Sequence, residues 1–168
     1  MKSKLLASAL AAVLAPAAVV STVVAPATAQ AAPVQEASCQ VHAVLASKDG
    51  DGTIPKNLEF LRGHLEQDEF AAYKSFLLVE QKALEIKLDK KSEVTFRSGN
   101  RLGLRLLGND DTRLKLHASL SGRDGKKSLL NADYSIEDRG VMMIAAGKSE
   151  LEGKLGKLFF AIQCARGG

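Results

Sequence analysis

The chain contains only two cysteines, and they are not arranged as C-x-x-C, so a dithiol redox centre is excluded. It also lacks the G-x-S-x-G elbow and the S-x-x-K signature that would announce a nucleophilic serine. No internal repeat is evident, and no low-complexity segment lies beyond the N-terminal region. A segregated basic stretch is missing as well. The formal net charge is +4, but removing Lys2 and Lys4 leaves 21 basic residues against 19 acidic ones. The signs interleave, as in Lys87-Leu88-Asp89-Lys90-Lys91-Ser92-Glu93. A nucleic-acid binder would present a basic face, so no nucleic-acid partner is expected.

What is present begins with an export signal. Lys2 and Lys4 supply a positive start, and Leu5 to Val24 form a nearly uncharged run of Ala, Val and Leu. Pro26 breaks the run, and Ala27-Thr28-Ala29 and Ala29-Gln30-Ala31 follow as A-x-A cleavage sites. A membrane anchor is the alternative, since about 18 apolar residues can span a bilayer. Pro16 interrupts this run, however, and no Lys/Arg cluster follows it. The expectation is a signal peptide over residues 1–31, a disordered leader over 32–38, and a single β-rich domain over 39–168. The mature form would carry no transmembrane segment, and the destination is the periplasm or the medium. A mature chain of about 137 residues can bury two-thirds of its unfolded surface without help from a metal.

Cys39 and Cys164 stand near the two ends of that domain. An even count in an oxidising compartment predicts pairing, with two separate buried thiols as the alternative. A lipidated Cys39 is disfavoured because Glu36-Ala37-Ser38 lacks the aliphatic residue a lipobox requires. Cys39 shares a strand face with Val41 and Ala43, and Cys164 shares one with Ile162 and Phe160. The pair would therefore meet in the core, joining the first and last strands across 125 residues.

The rest of the pattern predicts an α+β chain that is mostly antiparallel β, a sandwich or barrel of about 7–8 strands with one N-terminal amphipathic helix. Pro55 suits a helix start, and Leu58, Leu61 and Leu65 fall on one helical stripe. Phe60, Phe70, Tyr73 and Phe76 read as the local core beneath it. Strands follow by period-2 alternation: Leu84, Ile86 and Leu88; Leu102, Leu104 and Leu106; Leu114, Leu116, Ala118 and Leu120. Leu102 to Leu107 could be helical on propensity, but a helix would scatter those leucines around its circumference. Gly, Asn and Asp turns separate runs spaced about 8 to 12 residues apart, the rhythm of an all-β sandwich or barrel. Val141 to Ala145 is apolar on both sides, so this strand should be central or covered on both faces. A polar Gly-containing link should then lead to Leu158–Cys164. Leu58, Leu61, Phe70, Phe76, Leu104, Leu116, Ile144 and Phe160 are the expected core.

Candidate chemistry is sparse. Asp49-Gly50-Asp51-Gly52-Thr53 opens like a calcium loop, but Ile54 and Phe60 occupy the positions where an EF-hand needs Gly and Glu. His64 and Asp68 would share a face of a continuous helix, without the third ligand that zinc requires. His42 and His117 fall on the polar sides of their strands. Gly147-Lys148-Ser149 resembles the end of a phosphate-binding loop, but Met142 stands where its first glycine belongs, and the segment reads as a turn. Met142 and Met143 read as strand core. A Ser-His-Asp triad assembled from distant positions stays open. No metal, cofactor or catalytic residue is assigned.

The stretch Ile54-Pro55-Lys56-Asn57-Leu58 through Ala72-Tyr73-Lys74-Ser75-Phe76, with the closing strand Leu158-Phe159-Phe160-Ala161-Ile162, resembles uncharacterised small exported β-rich proteins of myxobacteria and related bacteria. That resemblance implies export and a β-rich fold, and no established activity comes with it. The reading that follows is a non-enzymatic binding or structural domain of the cell envelope, its partner a protein or envelope component. The alternative is a small-ligand-binding protein or hydrolase whose site gathers dispersed residues. A deep polar pocket with histidines converging on carboxylates would favour the alternative.

Overall fold

The computed structural model describes residues 33–167. The expected signal peptide, residues 1–31, lies outside the described residues. Eight strands follow in order: β1 (Glu36–Ser47), β2 (Ser75–Lys87), β3 (Lys91–Thr95), β4 (Arg101–Asn109), β5 (Arg113–Ser121), β6 (Ser128–Glu137), β7 (Val141–Leu151) and β8 (Lys154–Arg166). β1 starts three residues before Cys39, so Glu36, Ala37 and Ser38 of the expected leader belong to the sheet. Ala37 is fully buried and pairs with Ile86 and Arg166, which fixes this end of the chain.

The strands form two four-stranded sheets, β2-β1-β8-β7 and β3-β4-β5-β6. Every ladder is antiparallel, and the β1/β8 ladder joins the first and last strands in the middle of the first sheet. The two sheets meet along two edges. Near β2 and β3, Lys87 bridges Lys90, and the Asp89 N–H donates to the Leu106 carbonyl at 2.9 Å. Near β7, the guanidinium of Arg123, in the turn between β5 and β6, donates to the Ser149 hydroxyl. The result is a sandwich of two sheets.

Alternation builds the main core. In β5, Leu114, Leu116, Ala118 and Leu120 point inward, facing Leu102, Leu104 and Leu106 of β4 in register. The opposite sheet contributes Val41, Ala43, Ile86, Ile144, Phe160 and Ile162 to the same cluster. Burying a leucine of this kind stabilises the fold by roughly 1.5–3 kcal/mol. All eight residues expected in the core are buried.

A second apolar layer lies on the outer face of the first sheet. Val44 and Ala46 of β1 and Phe159 and Ala161 of β8 point outward, against Leu58, Leu61, Leu65, Phe70 and Phe76. This explains the unbroken apolar run Leu158–Ile162, because β8 is covered on both faces. β7 is likewise flanked on both faces, by Met142 and Ile144 inside and by Val141 and Met143 outside, although it is an edge strand rather than a central one.

The covering segment corrects the expectation of one amphipathic helix. Lys56–Leu61 is a 3-10 helix, Arg62–Leu65 is a single α-turn (α1), and Asp68–Phe70 is another 3-10 turn. The three leucines are buried, but Gly63 inside the turn and the absence of side-chain caps keep the segment from propagating as one helix. Phe60 is also corrected: it is 42% exposed and sits outside that layer rather than beneath it.

The link expected before β8 is a hairpin instead. β7 continues through Lys148 to Leu151, and β8 begins at Lys154. A register shift between Ala145 and Gly147 marks a bulge, where Gly147 takes a φ of +99°. Gly147-Lys148-Ser149 is therefore bulged strand and not a turn.

Candidate functional site

The first sheet is covered over one end of its outer face, leaving Ser38, Gln40 and Gln163 open at the other, whereas no described element packs on the outer face of the second. There the period-2 alternation places polar side chains in two rows that cross four strands. One row is Lys91, Arg105, His117 and Asp133, each directly opposite the next. The neighbouring row is Glu93, Gly103, Ser119 and Asn131. Gly103 adds no side chain to this grid, and the Lys91 and Ser119 side chains close over it. A Cβ there would stand 2.5 Å from the Lys91 Cε and 2.6 Å from the Ser119 Oγ. The outcome is a depression of about 180 Å³ lined by Lys91, Arg105, His117, Ser119 and Asn131 around the bare glycine.

Charge is unevenly compensated in this grid. Glu93 takes both Lys91, at 2.6 Å, and Arg101, at 3.2 Å. His117 is held by β6, its Nδ1 2.6 Å from Asp133 and its Nε2 3.0 Å from the Asn131 Oδ1. Among the described residues, no carboxylate pairs with Arg105. Its Nε is buried without an acceptor. A buried guanidinium N–H left unpaired is costly, so Arg105 is the residue of this face poised to take an acidic partner.

Ser119, His117 and Asp133 share this face, which raises the question of a triad. The chemistry requires the serine hydroxyl on the free imidazole nitrogen. Here the Ser119 hydroxyl is directed at the Gly103 carbonyl, at 3.4 Å, and the second imidazole nitrogen faces Asn131. The relay is not assembled in this geometry.

The other two histidines lie elsewhere. His42 is buried on the outer side of β1, its ring 4.6 Å from that of Phe60. Burial lowers its pKa, and its Nδ1 has no partner. This corrects its assignment to a wet strand face. His64 sits in α1, which ends at Leu65, so His64 and Asp68 do not share a continuous helix. Among the described residues, no three His, Cys, Asp or Glu side chains gather in a way that could hold a metal. The Asp49–Thr53 segment is a turn in which Asp51 accepts the Thr53 N–H at 2.8 Å, a bond that lowers the Asp51 pKa. Gly50 is required there, since a Cβ would fall 2.3 Å from the Lys74 carbonyl oxygen.

Cys39 and Cys164 form a disulfide. They stand directly opposite in the β1/β8 ladder, with Cα atoms 4.0 Å apart, inside the main core. The bridge thus reinforces the pairing that joins the first and last strands.

No known protein family, curated protein or solved structure matches this chain. Gly103 and Arg105 were visible in the sequence only as the polar partners of alternating leucines. A glycine at an outward position of a strand, between two arginines, is the signal that would have singled them out.

Proposed function

We propose that this chain is an exported, non-enzymatic binding domain of the cell envelope, and that the uncovered face of β3–β6 is its recognition surface. The observation that carries the reading is the asymmetry of the two sheets. One outer face is covered over one end by an apolar layer, while the other presents along four strands an ordered polar grid with an unpaired arginine at its centre. The disulfide supports an oxidising destination, since such bonds persist outside the reducing cytoplasm. Among the described residues, no helix is long and apolar enough to cross a membrane.

The test is retention of the purified protein on sedimented cell-envelope fragments. The parent is expected to pellet in low salt and to be released as salt screens the face. An Arg105→Glu variant with the parent's melting curve is expected to stay in the supernatant. Equal pelleting of the two proteins would remove this face from the function.

A second reading, a small-ligand-binding protein, draws on a larger cleft of about 410 Å³ at one end of the first sheet. Tyr73, Leu155, Lys48, Asp49, Lys148 and Lys157 line it. Its rim of three lysines against one aspartate suits an amphiphilic anion, and binding of one that Arg105→Glu leaves unchanged would favour this reading.

A further inference from the structure

We propose that the depression over Gly103 binds a tetrahedral oxyanion, phosphate or sulfate, either free or as a monoester, through Arg105, Lys91 and Ser119. The inference rests on the reading of this face as a recognition surface and gives its ligand a chemistry.

The groups that converge on the depression are chiefly donors. Arg105 offers a planar fork suited to two oxygens of one anion. Lys91 lies over Gly103, its Nζ 3.3 Å from the point where a Gly103 Cβ would lie, and two of its N–H groups stay available beside its pairing with Glu93. The Ser119 Oγ stands by the same point, and its hydroxyl, now 3.4 Å from the Gly103 carbonyl, can rotate to an anion. Asn131 turns its Oδ1 to His117, which leaves its Nδ2 as a donor.

The two carboxylates of the grid do not oppose the anion strongly. Glu93 is neutralised by Lys91 and Arg101, and Asp133 is engaged by His117. A cation finds no comparable set of free acceptors here. A flat carboxylate would satisfy the guanidinium, but a tetrahedral group reaches Arg105, Lys91 and Ser119 together, because its oxygens project toward three different strands.

Glycine at position 103 makes the arrangement possible. Any Cβ would push aside the Lys91 and Ser119 side chains that lie over Gly103, and with them two of the anion's ligands. Arg105 has no carboxylate partner among the described residues, so the outer N–H groups of its guanidinium are left for an acceptor.

The experiment is a titration of the purified, oxidised protein with inorganic phosphate, sulfate and glucose 6-phosphate, with chloride at matched ionic strength as the control. The readout is the backbone amide NMR shifts of Gly103, Ser119 and Asn131. Saturating shifts confined to this face are expected for the oxyanions and not for chloride. Equal affinity for phosphate and its ester supports a site that reads the oxyanion alone, and tighter ester binding supports a monoester ligand. Arg105→Gln should weaken binding by about tenfold or more. Gly103→Ala should abolish it, and because Arg105→Gln leaves the strand backbone untouched, the test survives if the alanine variant fails to fold. A chloride response equal to that of phosphate, non-saturating shifts, or parent-like binding by Arg105→Gln would overturn the proposal. Loss of the oxyanion with face-dependent envelope retention intact would leave the proposed function standing. Oxyanion binding without such retention would do the reverse.

Discussion

His42 shows how one residue can be legible in position and illegible in environment. Its place opposite Val41 and Ala43 follows from alternation, but its burial depends on a segment of the chain far from its own strand. Under Phe60 the neutral ring is favoured, and burial lowers its pKa from the ordinary value near 6.5. Above that value the ring is neutral in both folded and unfolded chains, and its contribution to stability is complete. As the pH falls below it, the unfolded chain takes up the proton first, so the fold loses stability. Urea melts should therefore show a decline from pH 7.5 to pH 5 that is smaller in a His42→Leu variant. Leu116 is the simpler case, a fully buried β5 residue in the middle of the main core. Leu116→Ala should cost about 2–5 kcal/mol in a urea melt. A melt unchanged from the parent would remove Leu116 from the core.

Elements were readable where a strand keeps one period over most of its length. β5 does so, and β4 does up to its bulge after Leu106, and their leucines reveal which face turns inward. β2 and β7 carry irregularities, a register shift against β1 between Ala43 and Val44 and the bulge before Gly147. Each shifts the period partway along, which hid the first half of β2 and the second half of β7. The grid of the second sheet was invisible for another reason. The alternation shows that Arg105 and His117 point outward, but only the register between strands places them side by side. Turn chemistry gives a separate test. The hairpin joining β7 to β8 turns at Glu152 and Gly153, with φ of +53° and +73°. Both positive angles fit the turn type that two-residue hairpins prefer, and glutamate tolerates its angle poorly. Glu152→Asn should raise stability by about 0.5–1 kcal/mol, measured by thermal or urea unfolding.

For the molecule as a whole, the organising feature is the joining of the chain's two ends. The first and last strands pair in the β1/β8 ladder, and the only two cysteines of the chain lie opposite each other within it. The disulfide closes a loop of 125 residues. In the chain-entropy model a loop of that order is worth roughly 4–5 kcal/mol, less any native strain. Reduction, or a Cys39→Ala and Cys164→Ala double substitution, should lower unfolding stability by no more than that while the β-sheet circular dichroism is retained. The pairing was legible because both cysteines share strand faces with apolar residues at opposite ends of the domain. The second apolar layer was legible only in part, since its leucines could be read but its broken helical path could not.

The proposed function requires this disulfide-bonded domain to work outside the cytoplasm. The most direct measurement is mass spectrometry of the protein recovered from outside the cytoplasm of its own cells, alkylated without prior reduction. The account predicts a soluble chain beginning at Gln30, Ala32 or Pro33, with neither Cys39 nor Cys164 alkylated. A membrane-embedded chain retaining Met1, or alkylation of both cysteines, would contradict it.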